Sequence, residues 1–187
     1  MNILLFSTVM HDVYFSSYQA EAKIKPNPSN QNFYSKLVKS FLIGNNVSVI
    51  SKRPLVNGMF SKNSFDADFF AEKNLKFYYT KVQGNRSYKL LSETNEIIKT
   101  ANKAIEDFVS KDFIIVVDSL NFTLVKAATK VAKKHNAKIV AMLTDNPSNL
   151  SHKHNFINNL LVKKVSNFDG FLSLTQGLAN VFNSNKP

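Results

Sequence analysis

The run Phe113-Ile114-Ile115-Val116-Val117 is apolar at every position and closes on Asp118-Ser119. A strand with one face in water alternates apolar and polar side chains. A strand covered on both faces does not, and that is the rule for parallel sheets layered between helices. The neighbouring segments supply the covering layers. Before it, Ser87–Val109 places Leu90, Leu91, Ile97, Ile98, Ala101, Ile105 and Phe108 on one helical stripe, with Glu93, Glu96, Lys99 and Lys103 mostly opposite. After it, Leu120–His135 turns Leu124, Ala128, Val131 and Ala132 inward and Lys126, Lys130, Lys133 and Lys134 outward.

The same alternation continues in both directions. Toward the N-terminus, Asn2–Ser7 is a buried-strand run, followed by a polar loop through Lys25-Pro26-Asn27-Pro28. Gln31–Ile43 has helical spacing, with Gly44 where a helix-terminating glycine belongs. Val47–Ser51 predicts a second strand, residues 52–74 an irregular excursion, and Leu75–Thr80 a third strand. Toward the C-terminus, Ile139–Leu143 and Gly170–Leu174 predict strands, and Phe156–Val165 and Gly177–Phe182 predict helices. Strand and helix alternate about six times, with connections long enough to join parallel strands. The expected class is α/β, a doubly wound and mostly parallel three-layer sheet of Rossmann-like type. No linker or internal repeat divides residues 1–187, so one domain is expected.

Composition narrows the function. The chain has 187 residues, 44% apolar and 12% aromatic, enough for a core and against disorder. It has no Cys, which excludes disulfides, thiolate metal sites and a Cys nucleophile, and fits a reducing, cytoplasmic setting. The opening Met1-Asn2 carries no basic side chain, and the apolar run Ile3–Phe6 is shorter than the ~7–15 residues of an export signal. No stretch approaches the ~20 apolar residues of a membrane span. The four N-x-S/T sequons, at Asn46, Asn85, Asn121 and Asn149, are read as chance in an Asn-rich chain.

The formal net charge is +11, yet only Arg53 and Arg86 among the 24 basic residues are arginine. Arginine is the residue of bidentate base and phosphate recognition, so nucleic acid is not the expected partner. The positive charge is concentrated instead: residues 120–165 hold eight lysines and one acid, Asp145, a net of +7. Around Phe156–Val165, Lys153, Lys163 and Lys164 flank an apolar-faced helix. That pattern allows either docking on an anionic membrane surface or simple packing on the sheet with solvated lysines.

In such sheets ligands bind at the carboxyl ends of the strands. This draws attention to Ser7-Thr8, to Asp118-Ser119-Leu120-Asn121, to Thr144-Asp145-Asn146-Pro147 and to Thr175-Gln176. G-x-G-x-x-G, Walker A and G-x-S-x-G are all absent, and no glycine follows the first strand before Gly44. A phosphate-cradling loop and a hydrolase elbow are therefore disfavoured, and no cofactor is expected. His152-Lys153-His154 offers two imidazoles without a third ligand, so no metal is expected. Asp118 and Asp145 follow neighbouring strands and are read either as a carboxylate pair across a cleft or as caps of the helices after them.

The ordered set of elements resembles the N-terminal domain of GT-B glycosyltransferases, group 1 (family 4-like). Met1–Ser7 is similar to the opening strand and Asn27–Ile43 to the first loop and helix. Val47–Pro54 is similar to the second strand and turn. Ile139–Pro147 (IVAMLTDNP) is similar to the strand ending in a polar cleft motif, and Asp169–Asn180 (DGFLSLTQGLAN) to the segment before the interdomain hinge. The resemblance covers essentially the whole chain. It implies a retaining enzyme that takes a sugar from a nucleotide sugar, with the donor held mainly by a second domain carrying paired glutamates in an E-x7-E motif, which has no match here. The chain then corresponds to the acceptor-side half, inactive alone. Asp145 matches the polar cleft position, where members often carry His, and is the candidate catalytic residue. Ser7, Thr8, Asp118, Ser119, Asn121, Thr144 and Asn146 are candidates for acceptor binding. The acceptor is expected to be a sugar or lipid-linked sugar of cell-surface polysaccharide or glycolipid assembly, met at the inner face of the membrane. The competing expectation is a non-catalytic module that docks on a membrane or partner protein.

Overall fold

A computed structural model describes residues 1–56, 58–83, 89–145 and 155–183. Along the chain run β1 (Asn2–Ser7), α1 (Asp12–Glu21), α2 (Pro28–Phe41), β2 (Asn46–Ser51), β3 (Ser64–Phe65), β4 (Asp68–Glu72), β5 (Leu75–Tyr79) and β6 (Val82–Gln83). They are followed by α3 (Lys89–Glu106), β7 (Phe113–Asp118), α4 (Phe122–His135), β8 (Lys138–Leu143), α5 (Asn155–Val165), β9 (Gly170–Ser173) and α6 (Gln176–Asn183).

Seven strands form one sheet in the order β4-β5-β2-β1-β7-β8-β9. Every neighbouring pair is parallel except β4 with β5. β1 is the middle strand and is buried at all six positions. The FIIVV run lies beside it in β7, with Leu5 level with Val116 on one side and with Val49 on the other. This is the expected Rossmann-like, doubly wound α/β class.

The period-two alternation of the strands sorts their side chains onto two cores. Leu4, Phe6, Ile115, Val117, Ala141 and Leu143 face α3, α4 and α5, meeting Ile97, Ala101, Leu124, Val131, Leu161 and Val165. Ile3, Leu5, Val49, Phe77, Val116 and Met142 face the other way, onto Tyr18 of α1 and Tyr34 and Val38 of α2. Each large aliphatic side chain so enclosed contributes about 1.5–3 kcal/mol relative to exposure.

Helix ends follow local chemistry. Pro28 opens α2 behind the cap residue Asn27, whose side chain accepts the Ser29 N–H. Gly44 adopts φ +75° as the chain leaves that helix. Asn121 caps α4, its Oδ1 accepting the Leu124 N–H, and Asn136 ends the helix in the left-handed conformation. Lys133 and Lys134 occupy the last turn, where cations complement the helix dipole.

Three expectations are corrected. The polar loop after the first strand contains α1, a ten-residue helix whose Tyr18 is buried and donates its hydroxyl to the Pro54 carbonyl. The irregular stretch 52–74 contains β3 and the edge strand β4. It is anchored by Arg53, 7% exposed, which donates to the carbonyls of Asp66 and Thr80 and lies over the rings of Phe65 and Tyr79. Asp118 is not the cap of α4: β7 runs one residue further than expected, through Asp118, and the helix starts later. Among the described residues, no helix is long and apolar enough to cross a membrane.

Candidate functional site at the carboxyl edge of the sheet

The connections leaving β1 and β7 run in opposite directions across the sheet, to β2 and to β8. Connections that part in this way mark the switch point of an open α/β sheet, and the crevice outside the strand ends there is where such sheets bind ligands.

On the β1 side the turn is braced from within. Ser7 is fully buried, and its Oγ accepts the Val9 N–H at 3.2 Å. The Ser51 hydroxyl, from β2, donates to the Val9 carbonyl at 2.6 Å. Gln31 of α2 holds both polar groups of Met10, accepting its N–H at 2.9 Å and donating to its carbonyl at 2.7 Å. Thr8 is left partly exposed, its Oγ1 accepting from the Asn30 amide at 3.1 Å.

On the β7 side, Asp118 is 6% exposed and its Oδ1 accepts the Leu120 N–H at 3.1 Å. Burial pushes its carboxyl up from the ordinary value, against the opposing influence of the Leu120 N–H, the Tyr34 hydroxyl and the Lys52 ammonium. The Ser119 hydroxyl donates to the Met142 carbonyl at 2.7 Å. Asn121 is engaged as the cap, also accepting from Thr123 Oγ1 at 2.9 Å.

Tyr34 and Lys52 join the two sides. The Tyr34 hydroxyl is buried and faces Asp118 and Thr144 without closing a well-aligned hydrogen bond to either; burial drives its phenol far above the usual range. Lys52, just past β2, sits 3.0 Å from the Glu93 carboxylate of α3 and donates to Thr123 Oγ1 at 3.0 Å. Past β8, Thr144 is partly exposed and Asp145 exposed, so the two aspartates occupy opposite environments. Next to this edge a cavity of about 300 Å³ opens between Thr8, Phe15, Ile24, Asn30, Val56 and Met59.

The edge thus brings together Ser7, Thr8, Asp118, Ser119, Asn121, Thr144 and Asp145. The hydroxyls of Ser7 and Ser119 and the amide of Asn121 are used in bracing it. Asn146 and Lys153, with His152 and His154, lie outside the described residues. Lys163 and Lys164 sit elsewhere. With Lys133 they border a groove between α4 and α5 that also touches Ile139 near the start of β8, so they lie toward the opposite, amino edge. Thr175 lies between the edge strand β9 and α6, and Gln176 is the first residue of α6. Sequence reading missed Asn30, Tyr34, Lys52 and Glu93. Lys52 carried the available signal, because it follows a strand just as Ser7-Thr8 and Asp118-Ser119 do.

Chemically, the edge presents the partly exposed hydroxyls of Thr8 and Thr144 and the exposed carboxylate of Asp145 around one shielded acid, Asp118, groups able to hydrogen-bond a hydroxylated ligand. Among the described residues, no cluster of three or more His, Asp or Glu could hold a metal ion.

No family model matches the sequence, and no curated protein matches it either. Solved structures do resemble it in fold. One, described as "Trehalose-6-phosphate from E. coli bound with UDP-2-fluoro glucose", superposes with a TM-score of 0.56 at 8% identity, over 99% of this chain and 42% of that one. The UDP-forming α,α-trehalose-phosphate synthase of Burkholderia vietnamiensis gives 0.56 at 10% identity, over 98% and 43%. That of Burkholderia xenovorans, in complex with glucose-6-phosphate, gives 0.56 at 12%, over 97% and 42%. These neighbours are GT-B glycosyltransferases, and at such identities the likeness is one of fold. The chain spans well under half the length of each.

Proposed function

We propose that residues 1–187 form one Rossmann-like unit, the acceptor-side half of a retaining, hexosyl-transferring GT-B enzyme related to group 1. In this reading a nucleotide sugar is held mainly by a second, donor-binding half. The acceptor is a sugar of cell-surface polysaccharide or glycolipid assembly, bound at the carboxyl edge by Thr8, Asp118 and Thr144, with Asp145 beside the transfer centre. The enzyme works in the cytoplasm, at the inner face of the membrane. The observation that carries the reading is the switch of strand order at β1/β7 in a chain that superposes almost completely on less than half of UDP-sugar and sugar-phosphate-binding glycosyltransferases. In this reading the groups that stabilise a departing nucleoside diphosphate belong to the second half, so residues 1–187 alone bind acceptor and do not turn over.

Titration of the isotope-labelled chain with glucose-6-phosphate and with UDP-glucose tests this. The expected result is amide shifts at Thr8, Asp118 and Thr144 with the sugar phosphate, weak or no response to UDP-glucose, and no transfer. Turnover by 1–187 alone, or shifts confined to other parts of the molecule, overturns it.

A second reading, a non-catalytic module docking on an anionic membrane or a partner protein, is favoured by one feature. The α4–α5 groove has Ala132, Leu160 and Phe168 in its walls and is bordered by Lys133, Lys163 and Lys164. Co-sedimentation with phosphatidylserine vesicles that is salt-sensitive, and is abolished by Lys153→Glu, Lys163→Glu and Lys164→Glu together, would support it.

A further inference from the structure

The cavity beside β1 differs in chemistry from the crevice it adjoins. Its walls come from three separate segments: Phe15 of α1, Ile24 and Pro26 of the α1–α2 connection, and Pro54, Val56 and Met59 after β2. Pro26 and Met59 are buried, whereas Ile24 and Val56 remain 53% and 54% exposed. Polar groups gather where the cavity meets β1, in the Thr8–Asn30 hydrogen bond and in Gln31, whose amide is spent on Met10. Among the described lining residues the one that is charged, Lys25, donates from its ammonium to the Gln19 carbonyl at 2.5 Å.

We infer that this cavity seats an uncharged apolar group, alkyl or aryl, carried by the acceptor next to the sugar that reacts, so the acceptor is an amphiphile rather than a free sugar. The inference rests on the proposal that the carboxyl edge binds the acceptor. Three observations support it. Apolar side chains dominate the walls, and among the described lining residues the one cation is directed away to the Gln19 carbonyl. The volume of about 300 Å³ is at the low end for ligand sites, enough for one substituent and not for a whole lipid. The exposed Ile24 and Val56 would be drawn out of water when such a group enters, which favours binding in proportion to the apolar area covered. Thr8 and Asn30 at the inner end orient the ligand, placing its polar part toward the crevice.

The test compares octyl β-glucoside, below its micelle concentration, with methyl β-glucoside. It uses the full 187-residue chain labelled at Ile, Val and Met methyls and at backbone amides. Octyl glucoside should shift the methyls of Ile24, Val56 and Met59 and bind at least about tenfold more tightly than methyl glucoside, the gain that two buried methylenes supply. Val56→Asp and Ile24→Asp, both at exposed positions, should each bring octyl glucoside down to the methyl glucoside affinity. Equal affinity of the two glucosides for the unaltered chain overturns the inference. Shifts at Thr8 and Asp118 with both glucosides but none at the cavity methyls overturn it while leaving the acceptor-side reading in place. Cavity shifts with octyl glucoside but no crevice shifts with either compound overturn the assignment to an acceptor and remove that reading too.

Discussion

Lys52 and Glu93 form an ion pair at 3.0 Å with side chains only 17% and 7% exposed, linking the end of β2 to the α3 helix behind the crevice. A pair so enclosed is held by mutual compensation, and removing one member strands the other charge in a poorly solvating place. Lys52→Met should therefore cost about 3–5 kcal/mol of unfolding free energy. The double variant Lys52→Met with Glu93→Leu should recover most of that loss. Urea melts of the four members of this cycle give the coupling, and additive losses would show that the two charges do not depend on each other.

Asp118 makes stability depend on pH. Its carboxyl is raised in the folded chain, chiefly by burial, so the native state holds that proton more tightly than the unfolded state does. Ionisation then draws stability away as pH rises from the unfolded value of about 3.9 through the folded value. Asp118→Asn keeps an oxygen for the Leu120 N–H and removes the ionisation. The wild-type chain should lose stability relative to this variant as pH is raised from about 4 to 7. A difference between the two that stays flat across that range would count against the buried, proton-retaining carboxyl.

Arg53 should resist conservative exchange. Its guanidinium donates to two carbonyls and lies over two aromatic rings, a planar arrangement an ammonium cannot reproduce. Arg53→Lys is expected to lose about 1.5–3 kcal/mol, the scale of a charge-assisted hydrogen bond. Amide exchange should quicken in the β3–β6 pair and leave β1 and β7 protected; a uniform rise across the sheet would contradict a local anchoring role.

Two backbone positions should respond with opposite signs. Gly44 has φ +75° and open space where a Cβ would project, so Gly44→Ala should cost about 1–2 kcal/mol from conformation alone. Lys73 holds φ 45° with a full side chain in the turn between β4 and β5, so Lys73→Gly should stabilise by up to about 1 kcal/mol. Thermal melts of both variants decide the matter, and a shift of the same sign in each would refute it.

β1, β7 and β8 were legible in the sequence because each carries an unbroken apolar run, β2 and β5 because a single polar residue interrupts theirs, and α3 and α4 because their stripes are long. α1 was not, because Ser16 and Ser17 interrupt any stripe and it is secured chiefly by Tyr18 reaching Pro54, a contact 36 residues away. β3 and β6 are two residues each and exist only by pairing with one another. At the crevice, the rule of looking past each strand located Ser7, Thr8, Asp118 and Thr144. It passed over Lys52, whose partner Glu93 looked like the solvated side of a helix. Asp118 and Asn121 are both good capping residues three positions apart, and the choice between them depended on where β7 stops.

The antiparallel strand β4 forms one rim of the sheet, with Phe69 half in water and acids at both of its ends, Asp68 and Glu72. Were two molecules to zip together through this rim in antiparallel register about Phe70, each Asp68 would lie opposite the Glu72 of its mate. Like charges facing across strands oppose such pairing. In a polypeptide that is otherwise strongly cationic, those two carboxylates act as a local guard against fibril-like stacking.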